Sequence, residues 1–458
     1  MTVELAGLAV ANVAYFVVGV AAFAAAGWVT PTHPATWKRL GAAYMFGIVV
    51  VVIPASYLAL FGVPVGLGGL IAGLAVVILA IRRIGLPKQV ARVSMRRPSL
   101  EQLAAIAVTA VALVLLAYSL GAFVVRPLIS YDAWAIWAAK ARLLYDNASA
   151  APAALRTGQY GQAPYPLGLP TLQALGFGAM GRFDGTVIGA QFAALAFGFV
   201  GALWSLLERH ARPLAIALAA TAVIAAPQLL YQLLTHYADV PLALFVGLGV
   251  AAAAAWSARP DDGWLLACAV AFIGMGALTK SEGTLFAVAA VAALVIAQAG
   301  PDWRTRARPA SIAIGAIALI VVPWQIYCSA YNLTTSDYSL SNAANIGYLH
   351  AHSDRLGPTV RELWKQLVNS HGWGYLVLTF AAAVVAGLAG RRWRATGFAV
   401  VWLALAFAGL VLIYWISTLP TSSNLTNSSY RTIVSLLVGG TALVPLLVAP
   451  IDRKDPDR

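Results

Sequence analysis

The stretch LAAIAVTAVALVLLAYSLGAFVVRPLISYDAWAIWAAKARLLYDN, from Leu103 to Asn147, decides the fold class. Its first half carries no charged residue before Arg126 and is long enough to cross the hydrocarbon core of a bilayer as a helix. Its second half, from Ser130 onward, holds two tryptophans, two carboxylates and two basic residues. The stretch therefore predicts a membrane helix that ends beside a charged and aromatic segment.

Composition extends this pattern to the whole chain. Of the 458 residues, 61% are hydrophobic and only 10% are charged, with a mean hydropathy of +0.80. A soluble globular chain does not need so much apolar surface, and apolar runs in a bilayer must be helices because hydrocarbon offers the backbone no hydrogen-bond partners. We predict an all-α polytopic membrane protein. Its thirteen spans are expected at 5–27, 42–61, 64–81, 103–126, 184–207, 213–230, 240–257, 263–279, 283–299, 310–329, 372–390, 397–417 and 432–450.

Of the 30 basic residues, 20 lie on one side of these spans. They are found in the segments 82–98, 304–308, 391–394 and 452–458 and at Lys38, Arg39, Arg209, Arg212 and Arg259. Because cytoplasmic loops collect Lys and Arg, we expect these loops and the C-terminus to be cytoplasmic and the N-terminus to be external. The formal charge of +13 thus reflects orientation and does not indicate a nucleic-acid partner. The Ala, Arg and Gly content favours the inner membrane of a bacterium. The first apolar run has no basic residue before it, so it is expected to be a permanent span rather than a signal peptide.

The external side holds the long loops, at 127–183, 330–371 and 418–431. Long loops in compact membrane domains usually carry function. In the first loop, Ser130 to Asn147 is predicted to form an interfacial helix. Its apolar face contains Trp134, Trp137, Ala138, Ala141, Leu144 and Tyr145. Asp132, at the start of this helix, is either an N-cap or a functional carboxylate.

Further ionisable residues recur at the same external face. The segment THYADVPLALF places His236 and Asp239 at the start of a span, and GALTKSEGTLF places Lys280 and Glu282 in a short turn between two spans. In NSSYRTIVSLL, Arg431 lies at the mouth of the last span. Each residue alone has a structural explanation, such as a helix cap, an ion pair or a snorkelling side chain. Together, at one face of the bilayer, they predict a functional site.

The order of these motifs resembles the GT-C superfamily of integral membrane glycosyltransferases. A carboxylate in the first large external loop is followed by interfacial helices, then by the YADVPLALF and LTKSEG segments. Within the superfamily, the chain is similar to the polyprenyl-phosphate-sugar-dependent protein O-mannosyltransferases and the lipid A aminoarabinose transferase. The resemblance covers a module at 101–330, with the external loop 127–183. Three spans and a basic cytoplasmic loop precede it in 1–100, and an external loop and three spans follow it in 331–458.

This resemblance implies a reaction at the external face. A sugar would move from a polyprenyl-phosphate donor to a hydroxyl of a glycan, lipid or protein acceptor, with inversion at the anomeric carbon. Asp132 would act as the general base that takes the proton of the acceptor hydroxyl. Alanine follows it where a second acid would form a paired-acid site, so a divalent metal is not indicated and no other cofactor is implied.

The resemblance also implies which residues bind the substrates. Lys280 and Arg431 would meet the lipid phosphate, with Lys140 and His236 as further candidates. The remaining substrate-binding candidates are Asp239, Glu282 and Tyr165. Tyr165 lies in the Pro- and Gly-rich stretch APYPLGLPTLQ, which would either wall the acceptor pocket or form a turn between interfacial helices.

Two other functions fit parts of the pattern. A transporter or flippase of lipid-linked sugars would also be all-helical, although it should carry charges or helix breaks near mid-span, often in two related halves. A glycan ligase or polymerase that uses a pyrophosphate-linked lipid donor would share the lipid substrate and the external loops. The number of phosphates on the lipid donor distinguishes the ligase or polymerase, which uses a pyrophosphate, from the glycosyltransferase, which uses a monophosphate.

Overall fold

The computed structural model describes residues 1–30, 34–84, 98–121, 126–158, 160–260, 262–299, 303–335, 337–338 and 340–449. These residues form helices and no strand; the one isolated β-bridge in this part of the chain pairs Tyr338 with Ser417. The helices are α1 (Thr2–Ala26), α2 (Ala43–Ala59), α3 (Val65–Ile84), α4 (Leu100–Leu120), α5 (Ala139–Asp146), α6 (Ala151–Arg156), α7 (Gly168–Met180), α8 (Gly189–Leu207), α9 (Pro213–Ile224), α10 (Pro227–Thr235), α11 (Asp239–Ala258), α12 (Gly263–Thr279), α13 (Glu282–Ala297), α14 (Trp303–Ala330), α15 (Leu340–Ala344), α16 (Ile346–Ala351), α17 (Leu356–Leu367), α18 (Ser370–Trp373), α19 (Leu376–Ala389), α20 (Trp393–Trp415), α21 (Thr421–Thr432) and α22 (Val434–Val448). Two 3₁₀ segments, Pro34–Ala42 and Ser353–Arg355, and a π-helical segment, Asp132–Ala138, complete the helical elements.

Nine helices of the described residues are long and apolar enough to cross a membrane, or eleven when each of two bent pairs counts as one span. The bent pairs are α9 with α10, at 52°, and Ser353–Trp373 with α19, at 103°. Helices α12 and α13 are also apolar but have only 17 and 16 residues. The prediction of an all-α, multi-pass membrane protein is confirmed, and the count of thirteen spans stays a prediction.

Burial separates the central helices from the peripheral ones. In the 18-residue apolar stretch of α11 every residue is buried, whereas in the corresponding stretch of α4 only 17% of the residues are buried. Helix α11 packs against α8, α12 and α22, which surround it. Since the outward faces of α3, α4 and α14 remain exposed and apolar, they have the surface expected of lipid-facing helices. The first three helices also pack against α7 and α8, so the predicted segment 1–100 shares its core with the segment that follows.

The helix at the start of the first long loop exists, but its predicted apolar face is only partly right. Trp137, Ala141 and Leu144 are buried where this helix packs against α7, whereas the Trp134 side chain is 52% exposed. The reason is the π-helical winding of Asp132–Ala138, in which the backbone bonds run from i to i+5. The 3.6-residue period that aligned Trp134 with Trp137 does not hold in such a segment.

The C-terminal loops also differ from the prediction. Most of the expected loop 418–431 is helix α21, which runs on through Ile433 into α22. Polar residues hide this helix in the sequence, but Leu425 and Ser429 are buried and α21 packs against α17. The expected loop 330–371 likewise contains the short helices α15, α16 and α17. The basic segments at 85–97 and 450–458 lie outside the described residues.

Candidate functional site

Five ionisable side chains from four separate segments form one connected set of ion pairs. Arg431 Nη2 lies 2.8 Å from Asp132 Oδ2, and Arg431 Nε lies 3.8 Å from Asp239 Oδ2. Lys280 Nζ lies 2.8 Å from Asp239 Oδ1 and 2.9 Å from Glu282 Oε1. The fold thus brings Lys280 and Arg431 onto the two oxygens of one aspartate, although about 150 residues separate them in the chain.

Asp239 is at the centre of this set because it is the first residue of the central helix α11. Its side chain is only 4% exposed, and no side-chain cap is formed at this helix end. Burial alone would lower the pKa of Lys280, but the adjacent Asp239 and Glu282 carboxylates outweigh it and raise that pKa above its ordinary value. Lys280 is therefore a buried ammonium group held between two carboxylates.

A tight turn between α12 and α13 positions Lys280 and Glu282. Lys280 has an extended backbone after the last residue of α12, and Glu282 begins α13. The two helices touch through glycine: a Cβ on Gly283 would lie 2.1 Å from the carbonyl oxygen of Gly276. Only glycine permits this approach, so the geometry of the turn depends on it.

Arg431 is not a snorkelling residue. Its side chain is 12% exposed, and its guanidinium lies over the ring of Tyr237, 4.4 Å from the ring centroid. Within the described part of the chain, two buried polar atoms of the site make no hydrogen bond, Arg431 Nε and Glu282 Oε2. Because buried polar atoms are nearly always paired, these two mark positions where a ligand or water is expected.

Asp132 is the most accessible of the three carboxylates in this connected set of ion pairs. Its side chain is 24% exposed, compared with 4% for Asp239 and 9% for Glu282. No side-chain hydrogen bond caps the start of its helix. Of the two interpretations offered by the sequence, the structure favours a carboxylate committed to Arg431 over a helix cap.

A cavity of about 70 Å³ adjoins these ion pairs. Its polar lining includes Lys280, Glu282, Arg431, Tyr165, Asp337, Tyr338, Tyr414, Ser417, Asn424, Ser428 and Thr432. Asp337 and Tyr338 were missed in the sequence, since an aspartate in a Ser- and Thr-rich loop has no pattern that sets it apart. Asp337 Oδ2 accepts a hydrogen bond of 2.8 Å from Gln162 Nε2, which ties this loop to the first one.

Tyr165 is the second aromatic element of the site. Its ring stacks on Trp137, with 5.3 Å between centroids and 12° between planes. Burial raises the pKa of the Tyr165 phenol well above its usual range, so the hydroxyl stays protonated. Tyr165 thus joins the first long loop to the wall of the cavity.

Two of the candidate residues lie away from the cavity. Lys140 is fully buried, and its Nζ donates to the carbonyl oxygens of Gln162, Ala163 and Tyr165 at 2.7, 3.3 and 3.0 Å. All three ammonium hydrogens are used, so Lys140 anchors the loop instead of meeting a substrate phosphate. The His236 ring packs edge-on against Phe192, and burial, followed by the charge of Arg126, lowers the His236 pKa to about 4. A neutral, enclosed imidazole is not a phosphate-binding cation.

Within the described residues, no group of three or more His, Cys, Asp or Glu side chains is arranged to hold a metal ion. No protein-family model, curated protein or solved structure matches this chain. Function is therefore inferred from the residues of the site and their geometry.

Proposed function

We propose that this protein is a membrane glycosyltransferase that moves a sugar from a polyprenyl-phosphate donor to an acceptor hydroxyl. One observation carries the proposal: a connected set of ion pairs lies at one end of an apolar helix bundle, and three of its members, Lys280, Glu282 and Arg431, line a cavity. Asp132 and Asp239 complete the set through their ion pairs with Arg431. Ionisable groups at such a depth are costly and usually line a functional site. A lipid-linked substrate explains why the site lies at the end of membrane helices.

Asp132 is the general base of the proposed reaction. As the acceptor oxygen attacks the anomeric carbon, its proton passes to the Asp132 carboxylate and the bond from that carbon to the phosphate oxygen breaks. The electron pair leaves with the lipid phosphate, and the single displacement inverts the anomeric centre. The exposure of Asp132 supports this role, because a base must reach the acceptor hydroxyl.

Arg431 and Lys280 stabilise the leaving phosphate. A guanidinium has five N–H donors, so Arg431 can keep Asp132 on Nη2 and offer Nε, which makes no hydrogen bond and lies 3.8 Å from Asp239 Oδ2, to a phosphate oxygen. Lys280 adds a second buried positive charge on the other side of Asp239. The surrounding carboxylates, which include Asp337 and Glu282, limit the net positive charge, so specific hydrogen bonds rather than bulk attraction must bind the phosphate.

The cavity must widen when the donor binds. At about 70 Å³ it has room for water, but it is well below the roughly 300 Å³ at which small-molecule sites begin. The wall formed by Asp337 and Tyr338 is tied to the rest of the site by the bridge from Tyr338 to Ser417. We infer that this wall moves outward to admit the sugar.

The proposed topology has thirteen spans in a bacterial inner membrane, with the site at the external face. Helices α12 and α13 then complete the count as short, buried spans that meet at the Lys280 turn. The basic residues expected of the cytoplasmic side lie in the last turn of α3, at Arg82 and Arg83, and just after α8, α11 and α19, at Arg209, Arg259 and Arg391. The module 101–330 supplies Asp132, Asp239, Lys280 and Glu282, and the segment 331–458 supplies Arg431.

The direct test incubates the purified protein with a panel of polyprenyl-phosphate sugars and a matched panel of polyprenyl-pyrophosphate sugars. Mass spectrometry follows loss of the donor and transfer of the sugar to added hydroxyl compounds or to water. We expect turnover of at least one monophosphate donor. Turnover of pyrophosphate donors alone would favour the ligase or polymerase alternative, and no turnover in either panel would contradict the proposal.

A further inference from the structure

A second cavity lies at the opposite end of the bundle from the ion pairs. Helix α11 starts at Asp239 and ends at Ala258, and its 20 residues span about 30 Å, the thickness of a bilayer core. Next to Ala258 is a cavity of about 400 Å³. Its polar lining consists of Arg259, Arg391, Arg392, Arg394 and His210, with Trp393 beside them. None of the described residues that line it is acidic.

The arginines of this cavity come from different parts of the fold. Arg259 follows α11, whereas Arg391, Arg392 and Arg394 come from the turn between α19 and α20 and the start of α20. The Arg392 guanidinium donates a 2.8 Å hydrogen bond to the carbonyl oxygen of Leu446, which fixes the turn against α22. The basic groups are thus held around a concave space by packing.

The backbone of Arg391 gives an independent indication of function. Its φ is 54°, in the left-handed region that glycine adopts without strain, and Gly390 directly precedes it. An arginine in this conformation costs on the order of 1 kcal/mol. Such strain at a non-glycine residue often accompanies a functional side chain.

Two carboxylates among the described residues on this side of the protein already have basic partners. Asp262 lies 3.5 Å from Arg39, and Glu208 lies 3.5 Å from Lys38. Burial, followed by the charge of Arg259, lowers the pKa of His210 to about 4, so its neutral imidazole can donate a hydrogen bond without adding charge. The guanidinium groups of Arg259, Arg391 and Arg392 around one space repel each other, and a bound anion would offset that repulsion.

We propose that this cavity binds the phosphate of an anionic phospholipid headgroup from the leaflet at that end of the bundle. The tendency of cytoplasmic loops to be basic explains why arginines are present, but it does not explain a 400 Å³ cavity with a strained arginine in its wall. The neighbouring Trp393 side chain is 53% exposed, as expected of a tryptophan in the headgroup layer. Basic pockets between membrane helices are suited to such headgroups, which favours a lipid over a soluble phosphate. This proposal does not depend on the glycosyltransferase function.

The test measures lipid binding by native mass spectrometry of the delipidated full-length protein in a neutral detergent. The probes are dioleoylphosphatidylglycerol, dioleoylphosphatidylcholine as a zwitterionic control, and inorganic phosphate as a soluble competitor. The variants are Arg391→Gly, Arg259→Ala and the control Arg82→Ala, which removes an exposed arginine at the same end but outside the cavity. Thermal unfolding is recorded for each, since Arg391→Gly relieves backbone strain and should unfold no lower than wild type.

We expect wild type to retain one phosphatidylglycerol in preference to phosphatidylcholine, and excess inorganic phosphate not to displace it. Arg391→Gly and Arg259→Ala should each weaken this binding about fivefold, the equivalent of ~1 kcal/mol per basic residue, while Arg82→Ala leaves it unchanged. Equal weakening by Arg82→Ala would show attraction to the basic surface in general. Equal binding of phosphatidylcholine, or full displacement by inorganic phosphate, would also overturn the proposal.

Discussion

At the scale of single residues, Lys140 acts as an anchor of the first long loop. Lys140→Met removes the donor of one buried and two partly buried hydrogen bonds to carbonyl groups, and we expect a loss of about 3 kcal/mol in the free energy of unfolding. The control Lys365→Met replaces an exposed lysine and should change the free energy of unfolding by less than about 0.5 kcal/mol. Thermal unfolding measures the stability of both variants. If Lys140→Met instead leaves stability intact and weakens donor binding, the residue belongs to the phosphate site.

His236 should make stability depend on pH. Its folded-state pKa of about 4 lies below the ordinary value of 6.5, so between these values the unfolded chain binds more protons. Stability is therefore lost as the pH falls from about 6.5 to 4, by roughly 3 kcal/mol from this residue. His236→Asn, which tolerates the left-handed φ of 57°, should flatten this slope, whereas His371→Asn at an exposed position should not. An unchanged slope in His236→Asn would show that the imidazole is not buried in its neutral form.

Residue identity and order were enough to select Asp132, Asp239, Lys280, Glu282 and Arg431, because ionisable residues stand out in an apolar chain. What the sequence left open was how they pair. Arg431 bonds Asp132 across about 300 residues, and no local pattern specifies such a contact. The same limit explains why the hydrogen bonds of Lys140 were not predicted: its partners are backbone carbonyl groups, which no side-chain pattern marks.

At the scale of elements, the close contact of α12 with α13 controls the site. In Gly283→Ala the new Cβ would meet the backbone of Gly276 at 2.1 Å, which no side-chain rotation can relieve. We expect the two helices to separate, moving Lys280 and Glu282, and the protein to lose more than about 1 kcal/mol of stability together with its transfer activity. Gly315→Ala, in α14 with open space around it, is the matched control. Thermal unfolding and the transfer assay are measured for both variants. Wild-type stability and activity in Gly283→Ala would contradict the close approach of α12 and α13 at this position.

Hydrophobic runs predicted the apolar helices because an apolar run that is long enough to cross a bilayer must form a helix there. They could not predict the exposed Trp134, since the π-helical segment follows a different period. Helix α21 was also missed, because its polar sequence becomes helical through packing against α17 rather than through apolar periodicity. Polar helices at a membrane surface depend on tertiary contacts that no sequence window contains.

At the scale of the whole molecule, the loop charges predict the orientation in the membrane, with the site outside the cell. A cysteine at Gly161, exposed near the site, should react with an impermeant thiol reagent added to intact cells. A cysteine at Gly263, exposed at the basic end, should react only after the cells are opened. Both native cysteines, Cys268 and Cys328, are buried and should add little background. The reverse pattern would place the site on the cytoplasmic side.

The central claim is that Asp132 serves as the base of a sugar transfer, and one substitution tests it most directly. Asp132→Asn keeps the shape of the side chain but cannot take the acceptor's proton. Single-turnover transfer from the polyprenyl-phosphate donor should fall about 100- to 10,000-fold, while stabilisation by the bound donor persists. Because the pair with Arg431 is partly exposed, the unfolding free energy should fall by no more than about 1 kcal/mol. Asp146→Asn, which breaks an Asp–Arg pair on the same helix, should transfer like wild type. Transfer by Asp132→Asn within a few-fold of wild type would contradict the account.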